Sequence, residues 1–364
     1  LRDGNQARNI SFSLKDKLII TQKLDELGVH YIEGGWPNIT NPIDQQYFEE
    51  VRELSLKNSR ICAFGSTRNP KLSVDEDPIL ASLVACKAPV LTIFGKTWDL
   101  HVTEVLNTSL DTNLSMVEES ISWLKKHAEE VFFDAEHFFD GYKANPAYAI
   151  KVLEAAANGG ADCLVLCDTN GGCLPTEYGE IVGTICRHFP NLEIGLHNHD
   201  DTGCAVANSL VGIEAGARHV QGTINGIGER CGNANLCSIM ANLELKLDFG
   251  SIGKENLSHL TETSLFVSEM ANIHHNAHFP YTGQSAFAHK GGAHIAGMLK
   301  NSSTFEHVNP DVVGNERTYI LSDQSGSATV VEKLKKHYPN IDKNDPAVKR
   351  ILNKVKELES EGYQ

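Results

Sequence analysis

Two histidines two residues apart, His197 and His199, lie in the run LHNHDD at residues 196–201, directly followed by Asp200 and Asp201. Imidazole is the commonest transition-metal ligand. On an extended strand, residues i and i+2 share a face, so both rings aim one way if the strand reaches residue 199. Such a pair either holds a metal ion or is a hydrogen-bonded couple at a strand end. A metal needs further ligands, and Asp3 in the opening run LRDGNQ is the best carboxylate for the purpose. One Asp and two His form a facial set that leaves coordination positions open for substrate. A cation so placed polarises a carbonyl as a Lewis acid, and Arg2 beside it can stabilise developing oxyanion charge. Read alone, RDG is better taken as a salt-bridged turn. A third stretch, NGIGERCGNANL at residues 225–236, has three glycines within eight residues, which lets its backbone approach another group closely. In it Glu229 and Arg230 are free to pair with each other or with neighbours, and Asn233 is a candidate metal or water contact.

These side chains need a scaffold. Seven apolar runs recur along the chain: Val29–Gly34, Arg60–Phe64, Val90–Phe94, Val131–Asp134, Cys163–Cys167, Glu193–Leu196 and His219–Ile224. They lack strict alternation, as expected of strands buried on both faces. Helical patterns lie between them, among them Ser13–Leu27, Ala147–Ala157 and Ala205–Ala215, with helix-ending glycines in ELG, ANGGAD and EAGAR. Counting one strand cut off ahead of Leu1, the set makes eight. An α/β fold of the (β/α)8 TIM-barrel type is expected, with a doubly wound open sheet as the alternative. Polar residues favour the barrel, because in barrel enzymes they collect just after the strands. Here Glu33, Lys96, Glu136, Thr169, His197 and Asn225 all do so. Beyond about residue 250 the pattern changes to a helix over Lys254–Ile273, a loop stretch with five histidines, and helices over Thr329–His337 and Pro346–Leu358. The barrel is therefore placed at residues 1–250 and an appended C-terminal helical region at 251–364, expected to contact a partner subunit.

Composition narrows the partners. With 32 basic and 47 acidic residues the net charge is −15, which argues against nucleic acid or an anionic membrane as a partner. Nine cysteines are scattered without a CxxC pair, a usage that fits reduced thiols in a cytoplasmic protein. No apolar run approaches the roughly 18 residues of a membrane span, and no signal peptide is visible. The chain opens at Leu1, inside a motif, which reads as a trimmed start.

Taken together, the three polar stretches resemble those of the 2-isopropylmalate, homocitrate and citramalate synthases, metal-dependent barrel enzymes acting on acyl-CoA and 2-oxo acids. One family signature reads L-R-D/E-G-x-Q, ten residues, then K; here it is Leu1-Arg2-Asp3-Gly4-Asn5-Gln6 followed by Lys17. The other reads H-x-H-D/N-D-x-G with small residues after it; here it is His197 to Gly203, then Ala205 and Ala207. GERCGN is also characteristic. The resemblance implies that Asp3, His197 and His199 bind a divalent metal ion (Zn, Mn, Mg or Co), with Asn233 close to it. It implies that Arg2 polarises the ketone, and that Glu136 and Thr169 contact substrate. The implied reaction is a Claisen condensation: acetyl-CoA loses a methyl proton, its enolate attacks the ketone, and the thioester is hydrolysed. The proton would be taken by a residue after the barrel, in a homodimer whose arm reaches the partner's site. His294 in AHKGGAH matches the family histidine, while Phe305 stands where related sequences carry a tyrosine; His289 reads as structural.

FFDAEHFFDGYK at residues 132–143 looks like the form found in a branch of citramalate synthases, which use pyruvate. A 2-isopropylmalate or homocitrate synthase is the near alternative, since these substrates differ by groups worth only about 1–3 kcal/mol per methylene. A lyase of the same superfamily would carry a GGCPY-like loop, whereas Cys231 lies in GERCGN. A non-catalytic metal-binding protein would be expected to have lost one of Arg2, Asp3, His197 or His199. A leucine-type regulatory domain, where the native protein has one, would follow Gln364.

Overall fold

The computed structural model describes residues 1–363 except 39, 323, 324 and 336. Two compact units result: residues 1–256 with 266–273, and residues 257–265 with 274–364.

The first unit carries seven parallel strands in chain order: β1 (Tyr31–Gly35), β2 (Arg60–Ser66), β3 (Val90–Lys96), β4 (Glu130–Glu136), β5 (Cys163–Asp168), β6 (Glu193–Asn198) and β7 (His219–Gln221). Each is joined to the next through a segment containing helix, the pattern of a (β/α)8 barrel. The sheet curls on itself: the rings of Tyr31 on β1 and His219 on β7 approach to 5.7 Å. A cavity of about 440 Å³ runs along this seam, from Asp3 and His197 at one end to Glu193 and His219 at the other. Inside the curl, Cys62, Val90, Phe132, Cys163, Val165 and Cys167 form one buried cluster.

Local signals set the elements. Ser13 and Asp16 form a reciprocal capping box that starts the helix Leu14–Leu27, and Gly28 ends it at φ 90°, a conformation only glycine adopts without strain. β1 to β6 each run past the end of their apolar pattern. β3 and β4 extend two residues further and stay in register up to Lys96 opposite Glu136, polar residues that hydrophobic patterning cannot recognise as strand. β7 is shorter than its pattern. The loop at 226–235 takes over the end of β6, with Ala234 N–H donating to Asn198 O at 2.9 Å and Asp200 N–H to Gly232 O at 2.9 Å. Thr223 turns away to bridge Asn235.

In the second unit, Ala288–His289 pairs in parallel with Thr318–Tyr319. Val330, Val331 and Val348 form a small core under the helices Ser327–Lys335 and Pro346–Ser360. The single helix expected over Lys254–Ile273 is broken into a 3₁₀ turn, Asn256–His259, and a helix, Leu260–Met270. Asn256 Nδ2 bonds back to Ile252 O at 2.8 Å, a local bond that competes with helix extension. Of the expected helix Thr329–His337, residue 336 lies outside the described residues. No described helix is long and apolar enough to cross a membrane.

Candidate active site

The expected metal ligands converge. His197 is on β6 and His199 one residue beyond its end, and their rings share a face with Nε2 atoms 3.4 Å apart. Asp3 Oδ2 lies 3.2 Å from His197 Nε2. One ligand atom from each of the three residues falls within 4.8 Å of the others, and all three residues are buried. Asp3 is brought here because its segment runs beside β1, where Arg2 N–H donates to Glu33 O at 3.1 Å.

Behind the ligands stands a positioning chain. His197 Nδ1 meets Gln221 Oε1 at 2.8 Å, and Gln221 Nε2 donates to Asp134 Oδ1 at 3.0 Å. An Nδ1–H donated to an amide oxygen leaves Nε2 as a lone pair facing Asp3 and His199, the tautomer a metal ligand requires. Asn233 is held beside His199 by a backbone bridge, and its buried Oδ1 has no hydrogen-bond partner among the described residues. An orphaned buried acceptor on the residue bridged to His199 fits a cation as its missing partner.

The electrostatics of the set centre on the Asp3 carboxylate. Burial opposes charge on His197, yet the Asp3 carboxylate outweighs it and lifts the imidazole to about 9. Burial likewise works against Asp3, but Arg2 and then His197 hold its carboxyl well below the usual range. His199 is pushed down to about 4 by burial and by His197. Burial and Glu33 raise Asp134 to about 7. Asp3 thus favours positive charge at His197, while His199 beside it is held neutral.

Arg2 is fixed on three sides. Its Nε donates to Glu33 Oε1 at 2.7 Å, Nη1 donates to Gln6 Oε1 at 3.0 Å, and the guanidinium lies 3.8 Å over the Phe64 ring. Phe64 stacks on Phe94 at 5.5 Å, and Trp36 meets both edge-on. Glu136, the last residue of β4, is ion-paired with Lys96. Thr169 follows β5, and its Oγ1 accepts from His137 N at 2.9 Å. His294 belongs to the second unit, exposed on the helix Gly292–Met298 with its ring 4.4 Å from that of Phe305. His289 bonds Glu306, which also clamps Arg317.

Several motif residues turn out to hold the scaffold. Asp200 caps the next helix through Ala205 N at 2.9 Å, and Asp201 pairs with Arg230 through both carboxylate oxygens. Lys17 is buried against Asp44 and Gly34 O. Glu33, Gln221, Asp134 and the aromatic wall were missing from the expected site. Glu33 was visible as a polar residue after a strand, whereas Gln221 carries no signal beyond sitting on β7 opposite His197.

The HMGL-like family model matches residues 1–267, and the model described as homocitrate synthase post-HMGL domain-like matches residues 281–363. The chain is 54% identical over 363 residues to an (R)-citramalate synthase of Aquifex aeolicus, covering 100% of this chain and 69% of that protein. It is 50% identical over 364 residues to one of Geobacter sulfurreducens, with the same shares. A 2-isopropylmalate synthase of Aliivibrio fischeri is 36% identical over 338 residues, 91% of this chain and 63% of that protein. Among solved structures, an HMG-CoA lyase of Bacillus subtilis superposes with a TM-score of 0.63 at 20% identity, covering 75% of this chain and 91% of that one. At that identity the likeness is one of fold.

Proposed function

The chain belongs to the HMGL-like family, in its citramalate synthase branch, and from that premise we propose how its residues condense acetyl-CoA with pyruvate to citramalate and CoA. Asp3, His197, His199 and the Asn233 Oδ1 would hold a divalent cation. When bound, the cation supplies Lewis-acid polarisation of the 2-oxo carbonyl. Arg2 donates hydrogen bonds to the same oxygen as charge develops on it. Its side chain is held in place before reaction by Glu33, Gln6 and Phe64, the condition under which such donors accelerate most. Glu136 and Thr169, at the ends of β4 and β5, position the substrate.

His294 accepts a methyl proton from acetyl-CoA. The methyl carbon then bonds to C2 of pyruvate, and the ketone oxygen takes a proton from solvent. Water cleaves the thioester, releasing CoA as thiol and leaving the second carboxylate. We place the chain in a homodimer with His294 supplied to the partner's barrel. Phe305 in place of a tyrosine leaves the imidazole as the base in this segment. The free state of all nine cysteines favours a reducing compartment such as the cytoplasm, and the net charge of −15 disfavours nucleic acid as a partner.

The observation that carries this reading is the meeting of Asp3 with His197 and His199 from distant parts of the chain. The stacked Phe64 and Phe94 beside Arg2 favour pyruvate, whose methyl group needs less room than an isopropyl or carboxyethyl group. A panel of 2-oxo acids with acetyl-CoA, followed by free thiol, tests it. Pyruvate is expected to give the highest kcat/KM; faster release with 2-oxoisovalerate would reassign the chain to 2-isopropylmalate synthesis.

A further inference from the structure

The opposite end of the barrel interior carries a second set of ligand-type side chains. Cys163, Glu193 and His219 are the first residues of three adjacent strands, β5, β6 and β7. Cys163 is in direct register with Glu193, and His219 with Gly195 two residues on. Glu193, Gly195 and His197 alternate onto one face of β6, so this set lies in the same interior as the first. Four residues of strand separate Glu193 from His197, about 13 Å.

The three side chains converge. One ligand atom from each lies within 4.8 Å of the others, and His219 Nδ1 is 3.9 Å from Glu193 Oε1. Gly195 makes room for them. A Cβ built there would stand 3.0 Å from His219 Cδ2 and 3.1 Å from Cys163 Sγ, so imidazole and thiol lean over a residue that has no side chain. Phe132, 5.2 Å away, and Tyr31, 5.7 Å away, flank the His219 ring. Cys163 is a free, buried thiol, while the Glu193 side chain is 47% exposed, which gives an ion a way in from solvent.

We propose that Cys163, Glu193 and His219 form a second cation site, selective for a thiophilic divalent ion of the zinc class. Sulfur, imidazole nitrogen and carboxylate oxygen are the three donors zinc takes, with water completing a tetrahedron. Binding forms an S–metal bond as the thiol proton leaves to solvent. The thiolate and Glu193 then neutralise the two positive charges. Hard ions that prefer all-oxygen or oxygen–nitrogen sets are poorly matched to the thiolate. Cys62 and Cys167 share the interior cluster but belong to no metal-capable group among the described residues. The site ties β5, β6 and β7 together at the end remote from the reaction, so it stabilises without taking part in turnover.

The test is cadmium binding by the chelator-stripped full chain, read as stoichiometry and as the ultraviolet thiolate-to-cadmium charge-transfer band. The wild type is expected to bind one equivalent with the band and one without it. Cys163→Ser loses the band and its equivalent while keeping CoA release. Asp3→Ala loses the other equivalent and keeps the band, which separates this proposal from the assignment of the reaction site. Should Cys163→Ser fail to fold, Glu193→Gln on the exposed side still decides, with an expected loss of at least about tenfold in cadmium affinity for the band-forming site, equivalent to 1.4 kcal/mol. Absence of the band in the wild type, its persistence in Cys163→Ser, or unchanged affinity in Glu193→Gln would overturn the proposal.

Discussion

The two ends of β6 hold chemically different groups assembled in different ways. At the C-terminal end, His197 and His199 face Asp3, with Asn233 bridged to His199 through the backbone and its buried Oδ1 unpartnered. At the N-terminal end, Glu193 faces Cys163 and His219. The upper pair shares a face through i, i+2 spacing, whereas the lower set joins the first residues of three neighbouring strands across the ladder. The surrounding structure differs too. Around the upper set, loops bring Arg2 and Asn233 and the ends of β3 and β4 carry the Lys96–Glu136 pair, whereas the lower set is walled by Tyr31 and Phe132. One end therefore gathers charged groups suited to a charged substrate. The other offers a sulfur-containing clasp open to solvent at Glu193, consistent with barrels that place chemistry at the C-terminal face and stability at the N-terminal one.

Breaking the upper set should have the largest effect. Asp3→Ala or His197→Ala is expected to abolish CoA release and remove the oxygen–nitrogen-bound cation while circular dichroism still reports a folded barrel. Full activity with full metal in either variant would remove the ligand assignment. Next is His294→Ala, expected to lower kcat by about 10²–10⁴ while metal content and the KM for pyruvate stay near wild type. Mixing inactive His294→Ala with inactive Arg2→Ala subunits should restore part of the activity, because a mixed dimer regains one whole site. No recovery after demonstrated subunit exchange would count against supply in trans.

The smallest effect belongs to the scaffold. Asp25, near the end of the helix Leu14–Leu27, accepts backbone N–H groups of Lys57, Asn58 and Ser59 just before β2. Burial acts to raise its carboxyl, but these bonds outweigh it and depress the pKa below its ordinary 3.8. A depressed acid stabilises the fold above its unfolded pKa, and that contribution is lost as pH falls through the folded value. Asp25→Ala is therefore expected to cost about 2 kcal/mol at pH 7 in denaturant unfolding, with the gap narrowing below about pH 4 and turnover unchanged. A gap independent of pH would show that charge plays no part.

Much of this was legible in the sequence. Seven β/α repeats are visible as apolar runs, and the polar residues after them mark the working face. The HxH pair and Asp3 could be matched as ligand types, because i, i+2 spacing fixes a shared face wherever the strand persists. Gln221 and Asp134 could not be foreseen as a chain behind His197, since their contact depends on register between strands far apart in sequence. The same holds for Asp201, whose pairing with Arg230 joins residues 29 apart in sequence. The lower set was invisible for the same reason: Cys163, Glu193 and His219 form no local motif, and only the staggered ladder of β5, β6 and β7 brings them together.

The most direct measurement is anomalous diffraction from crystals grown with Mn²⁺ and pyruvate. Manganese is hard enough to avoid the thiolate set, so the difference map is expected to show one strong peak. It should lie about 2.0–2.2 Å from the Asp3 carboxylate and from Nε2 of His197 and His199, with the pyruvate ketone on its open side toward Arg2. A map with no peak between those three residues, in crystals of protein that releases CoA, would contradict the account.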